Sequence, residues 1–460
     1  MNLLLINADQ LRHDCVGYAG IRPVRTPHLD ALARESVVYR RAFAPLPVCA
    51  PARQAILCGR HPDSFGAQWN YDFMPTPTVQ PAWCWPRKLK DRGYLTGYLG
   101  RFHVSPTLKP ADFGYDEYVS WEGQKRLVAQ KYPDAKYTGG WLGCASPVDC
   151  ADARPHWLAD RACEMIRRFA ATGRPWHVWV DNEDPHLPCR PSEPFASMYD
   201  PKDIPPWDGF GDPFVNKPYC HRQQTLSWGT QDMTWDDFAP MAARYYGLIS
   251  QLDDAIGRIL DTVRECGAWD DTIIVVTSDN GPASNSCSST EWFQSAHPFR
   301  SGKGWGKSSL REGGIRMPFI VAWGDRIERP HVNGHVGYFP DVMPTLCDIA
   351  GVETPPTDGI SLWPTIRGKE RRQQEHDYLY WEFPGGKGWV AVRWGDWKGL
   401  LRKVKEGNTQ LELYDVRHDL LEEHDVAADH PDVVARMWEF IRASHTEPEN
   451  PLFKMEIPEV

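Results

Sequence analysis

Five short apolar runs constrain the fold: LLLIN (3–7), YLTGYLG (94–100), WHVWVDN (176–182), TIIVVTSDN (272–280) and MPFIVAWG (317–324). Their apolar character is too continuous for a strand with one wet face, so each reads as a strand covered on both sides. Helical periodicity occupies the intervals at 26–35, 155–171, 239–266 and 340–350. That alternation predicts an α/β fold, a large mixed, mainly parallel sheet sandwiched by helices. From residue 378 the pattern changes to YLYWEF, WVAVRW, WKGLLRK and LELYDV, divided by polar turns and followed by a helix over 431–444. This predicts a smaller C-terminal antiparallel sheet plus helix. A Pro-rich, then charged connection separates the two patterns, giving a larger domain over 1–370 and an α+β subdomain over 371–460.

Parallel sheets collect ligands at the carboxyl ends of their strands. Asp9 and Gln10 follow the first run, Arg101 and His103 the second, Asp184 and His186 the third, and Asp279 and Asn280 close the fourth. A strand-end aspartate taken alone reads equally as a turn or cap residue. Four strand ends carrying polar residues together read as a site. The stretches 119–150, 190–238 and 283–303, rich in Gly, Pro, Ser and Trp, are expected to be loops that shape its pocket.

A formal charge of -10 arises from 51 basic and 61 acidic residues mixed along the chain, and no basic block advertises a nucleic-acid partner. No run reaches transmembrane length, so no membrane partner is expected. The first run starts at the N-terminus without a basic region or cleavage site, which sets a cytoplasmic location as the expectation, or a periplasmic or secreted one if a leader was removed. The 12 cysteines show no zinc-ligand spacing, although Cys144 and Cys150 are close enough in sequence for a disulfide. Among 21 tryptophans, some could stack on sugar faces and others fill the core. Oligomeric state is not legible.

The segment LPVCAPARQAILCGR (46–60) places Cys49, Pro51 and Arg53 in a C-x-P-x-R core. Proline suits the first turn of a helix, so Cys49 is expected at a helix N-terminus, where backbone N–H groups favour anions. Read alone, the cysteine is equally a buried structural thiol beside an arginine. The segment resembles the signature of the type I, formylglycine-dependent sulfatases of the alkaline-phosphatase-like superfamily. The resemblance continues in order through NADQLRHDCVGYAG, GYLGRFHV, DFGYDEY, DPHLP, TSDNG, KSSLREGGIRMP, DVMPTLCDIAGVETP and LELYDVRHDLLEEHDV.

What this resemblance implies is specific. Cys49 is the precursor of formylglycine, made by a formylglycine-generating enzyme during maturation. Asp9, Gln10, Asp279, Asn280 and the group at position 49 hold a hard cation, Ca²⁺ with Mg²⁺ as the alternative. One hydroxyl of the hydrated aldehyde attacks sulfur with help from Asp279, His186 and Lys307 protonate the departing oxygen, and His103 then releases the sulfate. Arg53, Arg101 and Lys307 neutralise the sulfate oxygens. His13 and His297 are further candidates for substrate contact, and Arg12, Arg22 and Arg25 for a basic cleft. The chain departs from the family pattern at Arg101, where lysine is usual, at Gln10, where aspartate is common, and at Ala52 and Cys58 in the extended signature. The expected activity is hydrolysis of an organic sulfate ester, a small molecule or a sulfated glycan. A phosphonate monoester or phosphodiester hydrolase, or a silent carbohydrate-binding relative, are the alternatives.

Overall fold

The computed structural model describes residues 1–72, 75–206, 232–281, 307, 309–327, 330–385 and 387–458. In chain order the first part is β1 (Asn2–Ala8), α1 (Pro27–Arg34), β2 (Val37–Phe43), α2 (Cys49–Cys58), α3 (Trp85–Asp91), β3 (Leu95–Gly100), β4 (Glu117–Ser120), α4 (Glu122–Lys131), α5 (Arg154–Ala170), β5 (Trp176–Asn182), α6 (Trp235–Glu265), β6 (Thr272–Ser278), β7 (Arg316–Met317), β8 (Phe319–Ala322), β9 (His331–Tyr338) and α7 (Val342–Ala350). The strands form one sheet in the order β4-β3-β5-β1-β6-β8-β2-β7, with β9 paired to β2. β4, β3, β5, β1 and β6 run parallel, and β8 turns antiparallel to β6. The mainly parallel sheet expected from the apolar runs is present.

Both faces of that sheet are covered, as continuous apolar strands require. Leu4, Ile6, Val178, Val180 and Ile274 pack with α5 and α6 on one face. Leu3, Leu5, Trp179, Ile273 and Val275 pack with Ala52, Ile56 and Leu57 of α2 on the other. Every residue of α2 is buried, the mark of a helix enclosed on all sides rather than amphipathic.

The second sheet has the order β10 (Leu379–Phe383), β11 (Trp389–Trp394), β12 (Trp397–Arg402) and β13 (Glu412–Asp415), all antiparallel. One face packs on α8 (Pro431–Ser444) through Val390, Val392, Met437 and Ile441. The other closes over the first sheet, where Trp381, Ala391 and Leu400 meet Phe43, Leu310 and Ile315.

The structure also departs from the sequence reading. The stretch 119–150 is not all loop, since α4 lies inside it. Helix α6 starts at Trp235 instead of 239, because Thr234 and Asp237 form a capping box, Thr234 N donating to Asp237 Oδ2 at 2.7 Å. Cys144 and Cys150 are free thiols. Arg12 and Arg22 both pair with the buried Asp14, at 2.7 and 3.1 Å, and Arg12 is itself buried. Among the described residues no helix is long and apolar enough to cross a membrane.

Candidate active site

Side chains along a strand alternate between faces, and this periodicity assembles the site. In β1 the residues facing α2 are Leu3, Leu5 and Asn7, and the same phase continues to Asp9. In β6 they are Ile273, Val275 and Thr277, continuing to Asp279, and in β5 Trp179 is followed by Asp181. The register holds these ends level, Asn7 opposite both Asp181 and Thr277. Three carboxylates therefore converge beneath α2, and all three are fully buried.

Arg53, one turn along α2 from Cys49, receives them. Its Nε lies 2.8 Å from Asp181 Oδ2, its Nη2 2.9 Å from Asp181 Oδ1 and 3.1 Å from Asp9 Oδ2, and its Nη1 donates to Asp279. Such a fork needs no deprotonation and matches planar carboxylates. Asp181 also accepts from Tyr98 Oη at 2.6 Å and Asn7 Nδ2 at 2.8 Å. Two glycines make the geometry possible. Gly59 ends α2 with a φ of 61°, and Gly100 ends β3 with a φ of 109°, where a Cβ would sit 1.9 Å from the Asp181 carbonyl oxygen.

Cys49 is the first residue of α2, as the proline spacing predicts, and the next amide, Ala50 N–H, donates to Asn70 Oδ1 at 2.8 Å. Its Sγ lies 3.7 Å from Asp9 Oδ1 and accepts from Lys307 Nζ at 2.8 Å. Burial, with the Asp9 charge, pushes the thiol up to about 12. An unmodified Cys49 is therefore a neutral thiol and a poor nucleophile. Lys307 keeps its proton: burial works against it, but Cys49, Asp9 and Asp279 raise its pKa.

His186 uses Nδ1 to donate to Leu187 O at 2.6 Å, which leaves Nε2 as the reactive nitrogen. Burial lowers its pKa, while Asp9 opposes the shift. His103 is buried with Nε2 2.7 Å from Asp72 Oδ2, close enough for an ion pair but not aligned as a hydrogen bond, and its Nδ1 has no hydrogen-bond partner among the described residues. Burial pushes it down to about 4 despite Asp72, so it is a neutral base at pH 7. Arg101 Nη2 reaches the same Asp72 oxygen at 3.2 Å, and Asp9 and Cys49 act on its charge.

The donor set fits a hard cation. One oxygen or sulfur each from Asp9, Cys49 and Asp279 lie within 4.8 Å of one another, and Asn280 Oδ1 is a buried acceptor with no hydrogen-bond partner among the described residues. Gln10 adopts a φ of 64° beside Asp279 and donates its N–H to Asp279 Oδ1 at 3.1 Å. Without a cation the two acids repel: burial and the Asp9 charge push Asp279 up to about 6. Asp9 is held below the usual range because Arg53, His186 and Lys307 outweigh its burial.

Asp9, Gln10, Cys49, Arg53, Asp279 and Lys307 meet directly, with His186 and Arg101 within electrostatic reach of Asp9. His13 has a different setting, acted on by Arg316, Asp14, Glu312 and Arg40. His297 and the whole of 283–303 lie outside the described residues, as do 207–231 of the expected loop 190–238. Sequence reasoning missed Asp181 and Asp72. For Asp181 a signal existed: an aspartate two positions after Trp179 in a doubly covered strand must meet a buried partner. Asp72 carries no such signal. A cavity of about 410 Å³ adjoins the loop that carries His186, lined by Glu183, Asp184 and Leu187 together with Trp121, Tyr132 and Tyr137.

The family model described as Sulfatase matches residues 1–352, and one described as N-sulphoglucosamine sulphohydrolase, C-terminal, matches 303–446. An ulvan-active sulfatase of Formosa agariphila is 26% identical over 373 residues, covering 78% of this chain and 63% of that protein. An arylsulfatase of Clostridium perfringens is 26% identical over 432 residues, covering 84% and 82%. Among solved structures, the phosphonate monoester hydrolase of Agrobacterium radiobacter aligns with a TM-score of 0.73 at 23% identity over 97% of this chain and 96% of that one. The structure titled Ps i-CgsB aligns with a TM-score of 0.71 at 22% identity over 96% and 92%.

Proposed function

Because this chain belongs to the sulfatase family of the alkaline-phosphatase-like superfamily, we propose that it hydrolyses an organic sulfate ester, a sulfated carbohydrate by preference, after Cys49 has been converted to formylglycine. The observation that carries this reading is the position of Cys49 Sγ, between Asp9 Oδ1 at 3.7 Å and Lys307 Nζ at 2.8 Å, at the amino end of a helix.

Asp9, Gln10, Asp279 and Asn280 would hold a divalent cation, calcium or else magnesium, which supplies positive charge opposite the sulfate, while the hydrated aldehyde supplies the attacking oxygen. The chain's own residues do the rest. Arg53 fixes Asp9, Asp181 and Asp279 in one arrangement, so no carboxylate has to reorient during reaction. Lys307 brings a retained positive charge to atom 49, and Arg101 brings another from the end of β3. His186 offers Nε2 to the leaving oxygen, the anionic substrate raising its proton affinity in the complex. His103, neutral and anchored on Asp72, accepts a proton at Nδ1 in the release of sulfate. The cavity lined by Leu187, with Trp121, Tyr132 and Tyr137 in its wall, supports a sugar as leaving group, since Trp and Tyr faces stack on apolar ring faces.

The test is co-expression with a formylglycine-generating enzyme, followed by mass spectrometry of the peptide containing position 49 and assays on an aryl sulfate, a phosphodiester and a panel of sulfated mono- and disaccharides. The expected result is conversion at position 49 and turnover of sulfates, with C49A inactive. Unconverted cysteine without turnover favours a silent relative, and faster phosphodiester cleavage favours the phosphonate-hydrolase branch.

A further inference from the structure

The cavity of about 410 Å³ lies at the carboxyl ends of β4 and β5, the same edge of the sheet that carries the Asp9–Cys49 centre. Trp121, which follows β4, donates its backbone N–H to Gly100 O at 3.3 Å, next to Arg101. Glu183, Asp184 and Leu187 line the cavity, and His186 stands in the same turn, its N–H donating to Glu183 O at 3.0 Å. Asp9 is among the charges acting on Arg154 in the cavity wall, so wall and centre lie within electrostatic reach of each other. The two wall acids are held by that arginine: Arg154 Nε and Nη2 meet Asp184 at 2.9 and 2.6 Å, and Nη1 meets Glu183 at 2.5 Å. Lys125 pairs with Glu122 at 3.0 Å, both half-exposed, and lies over the Trp121 ring. Arg190 is different. Its guanidinium lies over the Tyr137 ring, 4.4 Å from the centroid, and its Nε is buried without a hydrogen-bond partner among the described residues. No described acid forms an ion pair with it. The chain on both sides is fixed, since Cys189 is fully buried, Ser146 N–H donates to Pro191 O at 2.8 Å, and Ser192 N–H donates to Gln251 Oε1 at 3.0 Å.

We propose that Arg190 binds a carboxylate on the leaving group of the substrate, so that the sulfated carbohydrate contains a hexuronic acid. This rests on the sulfatase reading of the Asp9–Cys49 centre. Neighbouring N–H groups of a guanidinium match the two oxygens of a carboxylate, a geometry that a lysine cannot reproduce. Trp121, Tyr132 and Tyr137 in the wall supply faces for the sugar ring that bears the acid. The charged residues of the wall are Lys125, Arg154 and Arg190 against Glu183 and Asp184, which leaves one positive charge for one carboxylate. A neutral sugar in the same place would leave the buried Nε without an acceptor, and that penalty discriminates against it.

Binding is measured on the full chain carrying C49A, which needs no conversion, by ligand-observed NMR titration with methyl β-glucuronide, methyl β-glucoside and glucose 6-sulfate. The glucuronide should bind about 10-fold tighter than the glucoside or more, and adding R190Q should abolish that difference. If R190Q does not fold, the preference of the C49A protein decides alone. In the converted enzyme, R190Q should raise KM for a sulfated disaccharide containing a uronic acid about 10-fold, and by more than it lowers kcat. Equal binding of glucuronide and glucoside, or a preference that survives R190Q, would overturn the proposal. So would an equal loss of glucose 6-sulfate binding in R190Q, which would make Arg190 a reader of a second sulfate as much as of a carboxylate. The two readings fail separately: glucuronide binding without sulfate turnover keeps the carboxylate site and refutes the sulfatase reading, whereas turnover without that binding refutes only the role of Arg190.

Discussion

Lys398, in β12, is the most exacting test of how the second sheet supports the active site. Its Nζ lies 3.1 Å from Glu312 Oε1 and 2.9 Å from Glu422 Oε1, and all three side chains are inaccessible to solvent. Glu312 stands five residues after Lys307 and also meets Arg316 and Arg393, at 3.2 and 3.5 Å. Glu422 accepts the Glu312 backbone N–H at 3.0 Å. Removing one partner of such a cluster leaves a desolvated charge, which costs ~3–5 kcal/mol, a large part of the stability of a domain. K398M should therefore lower the unfolding free energy by about that amount in urea titrations. It should also lower kcat, because the strand approach carrying Lys307 loses its anchor. Adding E422Q to K398M removes the stranded charge and should recover at least half of the loss, while E422Q alone is destabilising. A K398M loss under about 1 kcal/mol, or strict additivity in the double variant, refutes the reasoning.

Other expectations follow from single contacts. D72N removes the negative charge 2.7 Å from His103 Nε2, and kcat should fall about 10- to 100-fold with KM little changed in steady-state assays. Chelation should abolish turnover, and restoring calcium or magnesium should recover it, with a stabilisation of about 2.7 kcal/mol at 100-fold excess over Kd seen in thermal unfolding. His376 Nε2 lies 2.8 Å from Asp341 Oδ1, and although burial opposes it, that contact raises the histidine's pKa. Its stabilisation is thus complete below the unfolded value, about 6.5, and is lost as pH rises through the higher folded value. The difference in unfolding free energy between the parent and H376Q should shrink as pH rises above neutrality.

Most of the scaffold was legible because doubly covered strands cannot hide their apolar runs. Cys49 at the start of α2 followed from Pro51, and the strand-end acids followed from the parallel sheet. Strand β2 was not legible: VVYRRAF interrupts its apolar character with the exposed Arg40 and the half-buried Arg41, at a register shift in its pairing with β9. Asp72 and Asp14 were missed for a different reason. Asp72 meets His103 across a loop, and Asp14 sits in a buried pair with Arg12, and neither spacing has a helical or strand period to betray it. Arg12 and Arg22 read as candidates for a basic cleft because nothing in sequence distinguishes a buried bidentate arginine from a solvated one.

The charge pattern around position 49 also bears on substrate choice. Three buried carboxylates, Asp9, Asp181 and Asp279, face two cations, the buried Arg53 and the half-buried Lys307, while His103 and His186 are driven toward neutrality. One negative charge is left over, and burial, followed by the Asp9 charge, pushes Asp279 up to about 6. A divalent cation converts that surplus into one positive charge. A sulfate monoester carries one negative charge and a phosphate monoester nearly two at neutral pH, so the centre as charged would neutralise the former and leave the latter under-compensated. Gln10 matters here: an aspartate in its place would cancel the positive surplus, so Q10D should weaken binding of sulfate esters and tighten the cation. If Q10D instead binds sulfate esters more tightly, charge balance is not what selects the substrate.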